Sequence, residues 1–198
     1  QLLYRMISSH SRVDSWKLRT GKLNLNNSEE YDRLQHGIGE LSRAPIFIDD
    51  QAGTNIIKMR STARKIKSEK GNLGLIVVDY LQLMSPTQSI KSDNTVQQMT
   101  EISRSLKLLA RELDVPVLAL SQLSRQVEQR QGKPRLSDLR DSGSIEQDAD
   151  VVIFIHREAQ YKDANERDGM MEILIEKHRN GPTGSIRLKF DDKHSCFM

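Results

Sequence analysis

Apolar positions along the chain alternate between two periods, which predicts an alternation of helices and buried strands. Leu3, Met6 and Ile7 share one helical face, so the chain opens inside a helix with no capping residue before it, a first hint of missing upstream sequence. Asn27 with Glu30 three residues on has the form of a capping box and starts a polar helix reaching about Leu41. A short strand is predicted at 46-IFIDD-50. Thr54 then caps a basic helix with apolar positions Ile56, Met59, Ala63 and Ile66, ending near Gly71. The run 74-GLIVVDYLQLM-84 is a buried strand, and the polar stretch 85–94 after it is a loop. Met99, Ile102, Leu106, Leu109 and Leu113 recur at spacings of three and four and mark a helix over 95–113. Further buried strands follow at 115-VPVLALSQL-123 and 151-VVIFIHR-157, separated by a long polar loop over 124–143. Last, two alternating strands flank the turn Asn180–Gly184 within 171–190 and form an antiparallel pair.

Strands apolar on both faces, interleaved with helices, predict an α/β fold whose sheet is mostly parallel, flanked by helices and closed by an antiparallel hairpin. The length of 198 residues suits one domain. It divides into a helical entry segment (1–45), an α/β core (46–157) and a C-terminal hairpin segment (158–198). With 36% hydrophobic and 29% charged residues the composition is that of a soluble globular chain. No apolar window reaches eighteen residues, so no membrane span is predicted. The start has no signal-peptide pattern. Cys196 is the single cysteine, which excludes an internal disulfide, a cysteine metal cluster and, as a class, a disulfide-built secreted scaffold. The net charge of +3 permits nucleic-acid binding without arguing for it.

Ligands of open α/β sheets bind beyond the carboxyl ends of the strands. Asp79 stands at one such end, Ser121 and Gln122 at a second, His156 and Arg157 at a third. An aspartate after an apolar strand has the form of a Walker B site, where it holds magnesium through a coordinated water. A turn-capping or arginine-paired aspartate has the same sequence appearance. A Walker A loop, G-x-x-x-x-G-K-[ST], is absent: Gly21-Lys22 and Gly132-Lys133 are each followed by neither Ser nor Thr. Between Ser121 and Gly143 five Lys/Arg stand against three acids, and no aromatic residue offers a stacking platform. Arg140 suits a phosphate contact and Gly143 a close backbone approach, yet a solvated surface loop would look alike. Lys177 and Arg179 share one face of their strand. They fit either a phosphoryl contact or a charged edge strand protected from pairing. The five histidines have no metal-ligand spacing.

Taken together, SRVDSWKLRTGKL (11–23), GLIVVDYLQLM (74–84), EISRSLKLLARELDVPVLALSQLSR (101–125), SDLRDSGSIEQDADVVIFIHR (137–157) and EKHRNGPTG (176–184) resemble the C-terminal, RecA-like motor domain of DnaB-type replicative DNA helicases. The resemblance covers nearly the whole chain in order. It implies an ATP- and magnesium-dependent DNA helicase, a homo-hexamer in the complete protein, and single-stranded DNA, primase and a helicase loader as partners. The cytoplasm, or an organellar equivalent such as the plastid stroma, is the implied location. By resemblance Asp79 takes the Walker B role and Gln122 that of the γ-phosphate-sensing glutamine. Arg140, Asp141 and Gly143 fall on the DNA-binding loop, with Asp141 where Glu is commoner. Lys177 and Arg179 match the basic pair donated to the neighbouring subunit's nucleotide. The family's Walker A loop, catalytic glutamate and primase-contacting domain lie upstream of what matches Gln1, so the N-terminal strands of the fold are expected to be missing. The chain alone is therefore expected to be inactive. The alternative is a non-enzymatic remnant that binds DNA or intact helicase subunits.

Overall fold

The computed structural model describes residues 1–23, 28–51, 53–86, 94–125, 127, 130, 132–139, 143–157 and 169–198. The helices are α1 (Leu2–Ser11), α2 (Ser15–Thr20), α3 (Ser28–Arg43), α4 (Ile56–Lys70), α5 (Thr95–Leu113) and α6 (Gly143–Asp148). The strands are β1 (Ile76–Val78), β2 (Val117–Ala119), β3 (Val151–His156), β4 (Met170–His178), β5 (Gly184–Asp191) and β6 (Cys196–Phe197). The chain forms two compact units. One holds Gln1–Asp49, Ile155–Ile173 and Ile186–Met198, the other Asp50–Phe154 and Leu174–Ser185.

The α/β class and the parallel strands are as the pattern predicts. β1 and β2 pair in parallel, Ile76 opposite Val117 and Val78 opposite Ala119. A second sheet has the order β3-β4-β5-β6. Within it β5 and β6 are antiparallel, and the five-residue connection from β4 to β5 is long enough for a hairpin but not for a parallel crossover. The third apolar strand, β3, thus joins the hairpin rather than β2.

The core of the second unit is built on α5. Met99, Ile102, Leu106, Leu109 and Leu113 are all buried there with Ile56, Ala63, Val78, Leu81 and Val115. Asn94 caps α5 by accepting from the Val96 N–H, and Asp114 closes it in the left-handed region. Leu139, Val152, Phe154 and Leu174 make a smaller cluster, and Ile145 of α6 packs against both. Ser103 donates to Asp148 at 2.7 Å, and Lys107 pairs with Asp150, so α5 also fixes the entry to β3.

Three local expectations are corrected. The segment 46–50 is not a strand: Ile46, Phe47 and Ile48 lie outside both sheets and are half exposed or more, because β pattern without a ladder partner makes no strand. The cap of α4 is Asn55, whose side chain accepts from the Lys58 N–H, whereas the Thr54 hydroxyl donates back to the Gln51 carbonyl. In the first unit, α1 buries Ser8 and Ser11 while Leu3 stays exposed. Ser11 lies so close to Gly37 of α3 that a β-carbon on Gly37 would sit 3.0 Å from its Cβ, and small residues are what permit this approach. Asn27 of the expected capping box lies outside the described residues. Its partner Glu30 is buried and accepts a 2.8 Å bond from Lys17.

Candidate functional site

The candidate residues that are described, apart from His156 and Arg157, fall in the second unit and form two groups. The first sits at the carboxyl ends of β1 and β2. The ladder runs one step beyond the strands: the Leu120 N–H donates to the Val78 carbonyl and the Leu81 N–H to the Leu120 carbonyl, each at 2.9 Å. Asp79 lies between these two anchored positions, joined to Tyr80 by a cis peptide. Its backbone is held by the ladder while its carboxylate is exposed at the strand end. Among the described residues no side chain pairs with it, so neither a capped turn nor a buried arginine accounts for it.

Gln82, in the 3-10 turn Leu81–Leu83, joins the two strand ends. Its side-chain amide donates to the Ser121 hydroxyl at 3.1 Å, and its carbonyl oxygen accepts from the Gln122 N–H at 3.3 Å. Gln122 itself is exposed. Asp79, Gln82, Ser121 and Gln122 thus occupy one strand-end rim, the position at which open α/β sheets bind ligands. Sequence reading passed over Gln82. The signal was there, as a lone amide in an otherwise apolar run.

The second group is centred on α6. Gly143 is its first residue, and a β-carbon added there would meet no described atom within 4 Å. Its glycine therefore serves no close packing among the described residues. Arg140 and Asp141 lie outside the described residues. Lys177 donates to the Glu146 carbonyl, Arg179 to the Gln147 carbonyl at 3.1 Å, and the Arg179 guanidinium pairs with Asp150 at 3.3 Å. The Arg179 N–H also donates to the Asp150 carbonyl at 2.8 Å. Two cations thus meet the carbonyl end of a helix, where the dipole favours positive charge. Asp150 is held below the usual carboxylate range first by its hydrogen bond to Lys107, then by the charges of Lys107, Arg179 and Lys177, against the opposing effect of burial. The charged edge strand of the sequence reading is thus engaged rather than free.

A buried carboxylate secures the approach to residues 140–142. Asp138 accepts from Arg130 at 2.7 and 3.3 Å and from the Arg135 N–H at 2.7 Å, and its carbonyl takes the Ser124 N–H at 2.9 Å. The hydrogen bond from Arg130 lowers its pKa most, and burial works against it. No hydrogen bond or ion pair joins the rim group to the α6 group among the described residues. In the first unit, His156 is buried and Arg157 pairs with Asp192 at 3.0 Å, so neither is a free polar group at a strand end. Gly21 of the Gly21-Lys22 pair is the left-handed C-cap of α2, with its N–H on the Lys17 carbonyl, and cradles nothing.

Among the described residues no three His, Cys, Asp or Glu side chains are grouped to hold a metal ion. No helix there is long and apolar enough to cross a membrane.

Comparison with known proteins matches residues 1–198 to the family described as the DnaB-like helicase C terminal domain. The chain is 48% identical over 199 residues to the replicative DNA helicase DnaB of Geobacillus stearothermophilus and 50% identical over 199 residues to that of Haemophilus influenzae. It is covered completely in both cases but spans only 43% and 42% of those proteins. Among solved structures, a DnaB-like replicative helicase described with its interactions with primase superposes with a TM-score of 0.88 at 40% identity, over 98% of this chain and 46% of that one. A second solved structure, of an isolated ATPase domain, superposes with a TM-score of 0.87 at 41% identity, over 98% of this chain and 68% of that one.

Proposed function

The chain belongs to the family of DnaB-like helicase C-terminal domains, and from that membership we propose that it is the downstream part of an ATP-driven motor that moves a replicative helicase along single-stranded DNA. The observation that carries the site-level reading is the rim at the ends of β1 and β2, where Gln82 ties Gln122 to the strand end bearing an unpaired Asp79. A group that engages Asp79 shifts the strand-end backbone, and Gln82 passes that shift to Gln122 through two hydrogen bonds.

Magnesium and ATP fit this donor set. Magnesium keeps most of its water and takes one or two carboxylates plus substrate phosphates rather than an all-protein cage, so a single exposed carboxylate is the expected protein share. When bound, magnesium-ATP supplies the transferable phosphoryl group and neutralises charge on it. Asp79 would orient the ion through a coordinated water, and Gln122 would report on the γ-phosphate. Lys177 and Arg179 would be donated across a subunit interface of a homo-hexamer. Arg140, Asp141 and Gly143 would follow the DNA backbone. Primase and a loader complete the proposed set of partners, and the cytoplasm or an organellar equivalent is the proposed location. The phosphate-cradling loop and the catalytic base are not in this sequence, so the chain alone should release no phosphate above background.

A chimera tests the reading. This chain replaces the matching 199 residues of the Geobacillus helicase, and phosphate release is followed with magnesium, ATP and single-stranded DNA. Asp79→Ala should cut the rate about 100-fold or more, as loss of a metal-orienting carboxylate does. Because the side chain is exposed, thermal stability should stay within about 0.5 kcal/mol. A chimera that keeps its rate without the Asp79 carboxylate refutes the assignment. A DNA-stimulated rate in the isolated chain refutes its predicted inactivity.

A further inference from the structure

We infer that the outward face of β1, β2 and the first residues of β3, with the free edge of β2, is a docking surface for the third of the ATPase domain that this sequence does not include. Three observations lead there. First, the burial of β3 alternates: Val152 and Phe154 are 7% and 4% exposed, Val151 and Ile153 41% and 52%. In β1 and β2, Val77 and Leu118 are likewise 56% and 49% exposed. A sheet face that evolved against water carries polar residues at alternate positions, whereas here both faces are aliphatic, the mark of strands covered on both sides.

Second, β2 has an open edge. The Ile76 N–H reaches the Pro116 carbonyl at 3.0 Å and the Leu120 N–H the Val78 carbonyl at 2.9 Å, so the even-numbered residues of β2 face β1. Val117 and Ala119 therefore turn their N–H and C=O groups to the other side, where no strand pairs among the described residues. An exposed, flat, apolar edge is a template for one more strand.

Third, the size of the absent piece fits. The superposition takes in 98% of this chain but 68% of the solved ATPase domain, at a TM-score of 0.87. The unmatched third of such a domain has apolar surface of its own to bury, and the bare aliphatic face is where it can do so. A second copy of this chain is the competing occupant. Its equivalent β2 edge is three residues long and would meet this one antiparallel about a twofold axis.

The inference goes beyond the helicase reading and needs no nucleotide chemistry, so association is tested without magnesium, ATP or DNA. The chain is mixed with the part of the Geobacillus ATPase domain that precedes the matched 199 residues, produced as a soluble carrier fusion. A one-to-one complex should form below about 50 μM. Amide exchange at Val117, Ala119 and Val151–Phe154 should slow about tenfold or more. Val77→Lys and Ile153→Lys should each abolish the complex and leave the free chain's circular dichroism and melting unchanged, because both side chains already face solvent. No complex, equal binding by both lysine variants, or a homodimer of the chain that protects the same amides and excludes the added piece would each overturn the inference.

Discussion

Replacing Asp138 by Asn should loosen the segment that leads into residues 140–142. The carboxylate is 5% exposed and accepts three hydrogen bonds, two of them on Oδ2 at 2.7 Å. An asparagine oxygen can keep those two. Its amide then faces Arg130 Nη1, donor against donor, and the charge is gone. A hydrogen bond to a charged group contributes about 1.5–3 kcal/mol, and the partial exposure of Arg130 places the loss near the lower end, at about 1.5–2 kcal/mol. That corresponds to an opening about 10- to 30-fold more frequent, at roughly 1.4 kcal/mol per tenfold. The Ser124 amide, which donates to the Asp138 carbonyl, reports it by hydrogen exchange. The folded pKa of Asp138 lies below its unfolded value, so this stabilisation is complete above the unfolded carboxylate pKa of about 3.9 and is lost as pH falls through the folded value. The variant-to-wild-type exchange ratio should accordingly collapse towards one in acid. A ratio below about 3 at neutral pH, or one that persists in acid, refutes the assignment of this carboxylate as the anchor.

Other expectations follow from the core, a cap and the α6 contacts. Leu109→Ala removes a side chain with no solvent exposure and should cost about 3 kcal/mol, seen as a lower urea midpoint with unchanged slope; a loss under about 1 kcal/mol contradicts the packing described. Asn55→Ala should destabilise α4 by about 1 kcal/mol and Thr54→Ala by less than about 0.5 kcal/mol, and the reverse order in thermal melts would restore Thr54 as the cap. Lys177→Met combined with Arg179→Met should speed exchange of the Ala149 amide, which donates to the Ile145 carbonyl, by about 2- to 5-fold, the scale of a half-exposed cation at a helix end. No change would mean that the two cations do not hold α6.

Some of this organisation was legible before any coordinates. Five apolar positions placed α5 and its buried face, and all five are buried, because a 3.6-residue period reports directly which side of a helix can leave water. The hairpin was legible from its turn residues. Asp79 and Gln122 were placed at strand ends by the lengths of apolar runs. Partnership was not legible. The α1 periodicity pointed to Leu3, yet the buried side is Ser8 and Ser11, since the neighbouring helix offers a glycine there rather than a hollow. The 46–50 run had strand composition and no neighbour to pair with. Lys177 and Arg179 read as free cations because their acceptors are carbonyls at the end of a helix about thirty residues away, which no side-chain pattern records.

The sequence by itself determined the kinds of element, their order and the family, since these depend on local periodicity and on ordered motifs along one chain. Tertiary structure alone decided which strand pairs with which, that Gln82 ties two strand ends together, and that β1, β2 and β3 leave an aliphatic face bare. Hydrogen-bond ladders and burial join residues far apart in the chain. Whether an apolar position meets protein or water is settled by the neighbour it finds, not by its own side chain.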